Sequence, residues 1–343
     1  MSYSLPAAEP RSNPSLALVI PCYNEQACIH ALFAELEALE YRLLESDRIQ
    51  GRMEVILIDD GSTDDTWPMI AAPSTHLHVT ALRLSRNHGH QRALLAGLLH
   101  GESDVVVSLD ADLQDDPSVI PQMIDGYLAG ADIVYGVRRS RDADTPFKRR
   151  SAQLYYATLR RLGVELIPDH ADYRLMSRKA LRSLAEFGEA NLYLRGLIPQ
   201  LGFQTATVSY DRPEREAGES KYPLRKMISL AIEGVTSTSV APLRIITVAG
   251  FVVALLAFLY ILYSVCVWAI GGTVAGWAST VVAIYFLGGA HLVALGVIGE
   301  YVGKIYKETK RRPRYILDEV VTSHGASAEQ PNSEALKSKT RAA

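Results

Sequence analysis

Cysteine is scarce throughout this chain, and charge is missing from one part of it. Only Cys22, Cys28 and Cys266 occur among 343 residues. That excludes a disulfide framework, and Cys22 and Cys28 lack the second pair that a zinc site needs. All three read as packing thiols in a reducing compartment. From Ile245 to Gly299 there is no Asp, Glu, Lys or Arg, which excludes a solvated surface for this block. Its length also excludes a single crossing, because a helix spans a bilayer core with about 20 apolar residues. Two membrane helices are therefore expected, at about 245–270 and 277–303, turning at Gly271-Gly272.

The missing charge gathers at the flanks. Arg225, Lys226 and Arg244 precede the first span, and Lys304, Lys307, Lys310, Arg311, Arg312 and Arg314 follow the second. Basic flanks stay on the cytoplasmic side, so both ends are expected there. Residues 1–15 are polar and carry Pro6, Pro10 and Pro14, which does not read as a signal peptide. The net charge of −3 argues against a general nucleic-acid binder.

This divides the chain into a disordered N-terminus (1–15), a cytosolic α/β domain (16–222), a juxtamembrane helix (223–243), two spans (244–303) and a basic, mostly disordered tail (304–343). In the juxtamembrane segment Leu224, Met227, Ile228, Ala231 and Val235 recur at helical spacing among charges. That pattern fits a helix lying on the membrane surface or an ordinary packed helix. Gly299 and Gly303 have the spacing for close helix contact, which allows a homo-oligomer.

Short β-branched runs alternate with longer amphipathic segments through the first 140 residues, the pattern of a Rossmann-like, mostly parallel sheet covered by helices. Strands are expected near 16–21, 54–58, 79–84, 104–109 and 132–137, and helices near 25–44, 89–100, 117–129 and 147–162. Ligands gather beyond the carboxyl ends of such strands. Three of those ends are acidic or turn-bearing: Pro21-Cys22-Tyr23-Asn24-Glu25, Asp59-Asp60-Gly61-Ser62-Thr63-Asp64, and Asp110-Ala111-Asp112-Leu113-Gln114-Asp115. In an extended segment Asp110, Asp112 and Gln114 would project together, and such oxygen ligands suit Mg²⁺ or Mn²⁺.

Together these segments resemble the family-2 glycosyltransferases of the GT-A fold. The resemblance continues through residues 86–97, 134–138, 172–178, 212–222 and 233–245, and it is closest to polyprenyl-phosphate transferases of the bactoprenol glucosyltransferase type. Dolichol-phosphate mannose synthase is a more distant relative. It implies a nucleotide-sugar-binding domain, a nucleotide diphosphate sugar donor, a polyprenyl phosphate acceptor and transfer with inversion. Pro21, Tyr23, Glu25 and Asp60 would hold the base and ribose, with Asp110 and Ala111 beside them. Asp110 and Asp112 match the family's Asp-x-Asp pair, and Asp112 with Gln114 match its metal ligands. Arg138 matches a phosphate-binding arginine, and Arg149 a second, with Arg150 as rival. Asp172 either orients or assists the acceptor, or pairs structurally with Arg174 or Arg178. Arg215, Ser220 and Lys221 lie in a loop suited to the lipid phosphate. His88, His90 and His100 read as structural or substrate-contacting rather than as metal ligands. Glucose from UDP-glucose is the expected transfer; mannose, N-acetylglucosamine or aminoarabinose remain alternatives, as does a non-catalytic scaffold or flippase component. A processive synthase is disfavoured, since no tryptophan follows an arginine in a Gln-x-x-Arg-Trp signature.

Overall fold

Seven consecutive buried residues, Leu16–Cys22, form β1, as a central strand covered on both faces requires. Its side chains alternate between two cores. Leu16, Leu18 and Ile20 pack with helix α1 (Ile29–Glu45), while Ala17 and Val19 pack with helix α3 (His90–His100). The computed structural model describes residues 11–138, 170–189, 192–210, 240–270 and 276–323. They belong to two units, one of Met1–Ser151, Ile167–Ser220 and Arg312–Ala343, the other of Ala152–Leu166 and Lys221–Arg311.

In the first unit β2 (Glu54–Asp59), β3 (His78–Leu84) and β4 (Val105–Ser108) run parallel to β1, with α2 (Thr66–Ala71) between β2 and β3. Helix α4 (Ile120–Leu128) leads to β5 (Ile133–Arg138), and β6 (His170–Ser177) then runs antiparallel to both β4 and β5. Helices α5 (Arg178–Glu186) and α6 (Leu194–Leu197) precede β7 (Thr205–Tyr210), which is parallel to β5. The sheet order is β7-β5-β6-β4-β1-β2-β3-β8. This is the mostly parallel α/β sheet that the resemblance implies. Because β1 has β2 on one side and β4 on the other, the winding reverses there, and a crevice opens beyond the strand ends.

The eighth strand corrects the expectation for 304–343. Leu317–Ser323 form β8, antiparallel to β3, with register from Val79↔Ser323 to Leu84↔Leu317. Adjacent Val320 and Val321 reach opposite faces of the sheet, each packing on one of the two cores. Preceding basic residues obscure this short apolar pair in the sequence. Helix α1 also starts later than expected, at Ile29, because residues 24–26 are held in a loop described below.

The second unit holds α7 (Ala241–Ala269) and α8 (Trp277–Thr309). Both are long and apolar enough to cross a membrane, over Pro242–Val267 and Val282–Thr309. The latter helix continues past Gly303 through Lys304 and Lys307. The helices expected at 147–162 and 223–243, and the tail beyond 323, lie outside the described residues.

One contact sets how closely α3 lies on the sheet. A Cβ added at Gly97 would come within 2.5 Å of Ile58 Cδ1 and nearer still to Val19 Cγ1. Gly97→Val is expected to destabilise the protein by about 1–3 kcal/mol through overpacking, measured as a lower midpoint in chemical denaturation with an unchanged slope.

Candidate active site at the reversal of the sheet

The loops after β1 and β2 are stitched together by backbone and side-chain hydrogen bonds. Asn24 adopts a left-handed conformation, φ 57°, and its Oδ1 accepts the Thr63 N–H at 2.8 Å. Its own N–H donates to Ser62 Oγ at 3.0 Å, and the Glu25 N–H donates to Thr66 Oγ1 at 2.9 Å. Asp64 and Gln26 add reciprocal contacts, Gln26 N–H to Asp64 Oδ2 at 3.3 Å and Asp65 N–H to Gln26 Oε1 at 3.0 Å. Pro21 is buried at the end of β1, Glu25 is half-buried, and Tyr23 stands exposed at the rim.

Asp60, expected to accept from the base, anchors the backbone of the next loop. Its Oδ1 takes the His88 N–H at 2.6 Å and its Oδ2 the Gly89 N–H at 2.9 Å, so it fixes the entrance to α3. Gly89 itself has φ +92°, a conformation natural to glycine. Burial raises the Asp60 pKa above the ordinary value, against the opposing pull of these two N–H groups.

The Asp110–Asp115 segment is not extended. It turns at 111–112, and Leu113 has φ 54°, so simple alternation does not bring Asp110, Asp112 and Gln114 together. The turn instead lets Asp112 Oδ1 accept the Gln114 N–H at 3.2 Å. Asp110 and Asp112 remain partly exposed, while Ala111, Gln114 and Asp115 are buried and Asp115 accepts the Tyr210 hydroxyl. No group of three or more His, Cys, Asp or Glu suited to a metal is found among the described residues. A partly exposed carboxylate fits Mg²⁺ or Mn²⁺ in another way, since such ions are commonly held by one or two carboxylates plus substrate phosphates and water.

Asp172, on β6 beside β4, is the most heavily contacted carboxylate among the described residues. It pairs with Arg174 Nη2 on Oδ1, and Arg195 reaches it with Nη2 at 3.0 Å and Nε at 3.3 Å. Gln91 Nε2 donates to it at 3.1 Å, and His90 Nε2 lies 3.5 Å away. Burial alone would raise its pKa. The His90 hydrogen bond and the charges of Arg174 and Arg195 outweigh that and hold it well below the ordinary range. His90 Nε2 also lies 3.8 Å from Asp110 Oδ1, so the ring stands between two carboxylates. Burial lowers the His90 pKa, but Asp172 and Asp110 overcome it and the net shift is upward. Asp110 itself is pushed up to about 6, first by burial, then by Asp115, Asp172 and Asp112, with His90 opposing.

The structural pairing of Asp172 with Arg174 is thus present, and the sequence-based reading missed Arg195 and Gln91. Arg195 follows no strand end and lies on a helix of four residues, so neither periodicity nor the acidic-rim pattern marks it. Arg138 ends β5. Arg149, Arg215, Ser220 and Lys221 lie outside the described residues.

The raised Asp110 pKa makes a stability prediction with a definite sign. A carboxyl whose folded pKa lies above its unfolded value stabilises below the unfolded pKa, and that contribution is lost as pH rises through the folded one. Metal-free wild type should therefore lose stability between about pH 4 and 6 relative to Asp110→Asn. The variant should melt higher at pH 7, with the difference vanishing near pH 3. The Asp110 side chain is 38% exposed, so solvent screening keeps the effect modest.

Comparison with known proteins identifies the family of the chain. Residues 17–185 match the glycosyl transferase family 2. The uncharacterized glycosyltransferase YkoT of Bacillus subtilis is 47% identical over 90% of this chain and 92% of its own length. The bactoprenol glucosyl transferase of Shigella phage SfX is 39% identical over 88% of this chain and 98% of its own. Among solved structures, the mannosyltransferase PcManGT of Pyrobaculum calidifontis, in complex with GDP-Man and Mn²⁺, shares 19% identity over 87% of this chain and 86% of that one, with a TM-score of 0.40. With relatives matched along nearly their whole length and the acidic strand ends gathered at the reversal of the sheet, this chain belongs to glycosyl transferase family 2.

Proposed function

We propose that this protein transfers a hexose, glucose from UDP-glucose, to undecaprenyl or a related polyprenyl phosphate at the cytoplasmic face of a membrane, with inversion. The observation that carries this reading is the pairing of a family 2 site with two membrane-length apolar helices in one chain. The name of the phage relative, a bactoprenol glucosyl transferase, supports both the lipid and the sugar.

In the proposed reaction a phosphate oxygen of the lipid attacks the anomeric carbon, and the bond from that carbon to the diphosphate breaks. A phosphate monoester has its second pKa near about 6, so the attacking oxygen is largely ionised without a protein base. The chain's task is then to position two anions and to stabilise the leaving diphosphate. Asp112 with Gln114 would hold Mg²⁺ or Mn²⁺, which supplies charge neutralisation to the departing diphosphate when bound. The stitched loops at 24–26 and 60–66 would present Tyr23, Glu25 and Asp60 to the nucleoside. Arg138, Arg149, Arg215, Ser220 and Lys221 are proposed as phosphate contacts.

The β3–β8 pairing supports the membrane arrangement through connectivity alone. β3 precedes both apolar helices and β8 follows them, yet the two share one hydrogen-bonded sheet. A bilayer cannot pass between them, so the intervening chain must cross an even number of times. Two crossings, with basic flanks on the inside, satisfy this.

Purified protein incubated with labelled UDP-glucose, Mg²⁺ or Mn²⁺ and polyprenyl phosphate should yield a lipid-linked glucose, and Asp112→Ala should lose at least about a hundredfold in rate. Absence of lipid-linked product from any sugar in a donor screen refutes the transferase reading. For topology, Thr273→Cys should react with an impermeant thiol reagent from outside the cell and Asp318→Cys should not. Labelling of both from outside excludes the proposed orientation.

A further inference from the structure

Asp172 was expected either to act on the acceptor or to pair structurally, and its surroundings decide what it has left to offer. Five nitrogen atoms converge on its two oxygens: Arg174 Nη2, Arg195 Nε and Nη2, Gln91 Nε2 and His90 Nε2. A carboxylate has about four lone-pair sites. With its side chain only 5% exposed, its acceptor directions are taken up by these donors. The groups around it differ sharply in exposure. The Arg174 side chain is wholly buried, whereas His90 is 44% exposed and Arg195 41%. Arg174 is thus the internal counter-ion, and the other two carry the cluster to the surface.

The positions of these groups come from separate elements. His90 and Gln91 begin α3, Asp172 and Arg174 lie on β6, and Arg195 lies on α6, whose first N–H, at Leu194, is held by Gln91 Oε1 at 3.1 Å. The same α3 entrance is fixed by Asp60 through His88 and Gly89. His90 lies 3.8 Å from Asp110, which belongs to the Asp-x-Asp pair, so the exposed edge of the cluster borders the proposed donor site. An arginine fork held along one edge by a buried carboxylate is fixed in direction before any ligand arrives. Preorganised cations of this kind suit a phosphate oxygen.

We propose that Arg195 and His90 form a phosphate-recognising pair at this site, and that Asp172 is a positioning residue that holds them rather than a base. The proposal rests on the transferase reading for the identity of the phosphate: the diphosphate of the nucleotide donor or the monoester of the lipid acceptor. Asp172 fixes the Arg195 guanidinium and holds the His90 ring through its Nε2, and Gln91 locks α3 against α6 so that the two contacts keep their spacing. The proposed reaction needs no further proton acceptor, in keeping with a carboxylate whose lone pairs are already used.

The test uses the full-length protein in detergent, with Arg195→Gln, Arg195→Lys, His90→Gln and Asp172→Asn, each checked for folding by thermal melting. UDP binding in Mn²⁺ is measured by calorimetry, and KM for polyprenyl phosphate and kcat by steady-state transfer. Arg195→Gln should weaken one phosphate-bearing substrate by about tenfold or more, the scale of one charge-assisted hydrogen bond. His90→Gln should weaken the same substrate by a smaller factor, and Arg195→Lys should restore only part of the loss. A raised dissociation constant for UDP identifies the diphosphate; an unchanged one with a raised lipid KM identifies the acceptor phosphate. Folded Asp172→Asn should shift the same constant as Arg195→Gln. If Arg195→Gln and His90→Gln fold and leave both constants unchanged, the proposal is overturned. A kcat loss in Asp172→Asn with both constants unchanged overturns it by restoring the base. UDP binding does not require turnover, so weaker UDP binding by Arg195→Gln upholds the pair even if wild type makes no lipid-linked sugar. Failure of folded wild type to bind either phosphate also overturns it.

Discussion

The hydrogen-bonded register between β1 and β4, from Leu16↔Val105 to Val19↔Ser108, is the constraint on which the site depends. It makes the winding of the sheet reverse at β1, and the loops on either side part beyond the strand ends. Pro21–Glu25 leaves from one strand and Asp110–Asp115 from the other. Residues from neighbouring elements complete the site. Asp60 reaches the α3 entrance from β2, and Asp172 comes from the antiparallel strand beside β4. A buried sheet with helices on both faces supplies the rigidity that such a site needs, and the close seat of Gly97 on Val19 and Ile58 keeps α3 and its His90 in place.

Electrostatics within the site follow from that geometry. Carboxylates brought together at one rim would repel, and the structure separates them by different means. Asp172 is saturated with donors and stays ionised. Asp110 has only His90 to oppose burial and three neighbouring carboxylates, and its pKa rises. Groups of the same chemical type, a short distance apart, are thereby given different proton affinities, a pattern common at functional sites.

Strands β1 to β5 were legible because each is a short apolar run closed by turn residues, and Val105–Ser108 followed by Asp110 is the clearest case, whereas β6 and β7 were not among the expected strands. The acidic rim was legible for the same reason. The conformation of that rim was not: alternation assumes an extended chain, and Leu113 with positive φ breaks it. Arg195 and Gln91 were invisible because their role depends on which elements the fold brings beside Asp172, information that resides in long-range packing. β8 was hidden differently. Its apolar content is little more than Val320 and Val321, and only an open edge on β3 makes that enough to form a strand.

The return of the chain to β3 also imposes an order on the making of this protein. A ribosome completes β3 early and β8 only after both apolar helices. Until then the N–H and C=O groups along the outer edge of β3 lack their final partner, the exposed template that invites pairing with other chains. The sheet is therefore closed only after both apolar helices have been synthesised. Its last strand is a seam sewn after both apolar helices are made, and a chain halted between the helices and Leu317 would carry an open sheet.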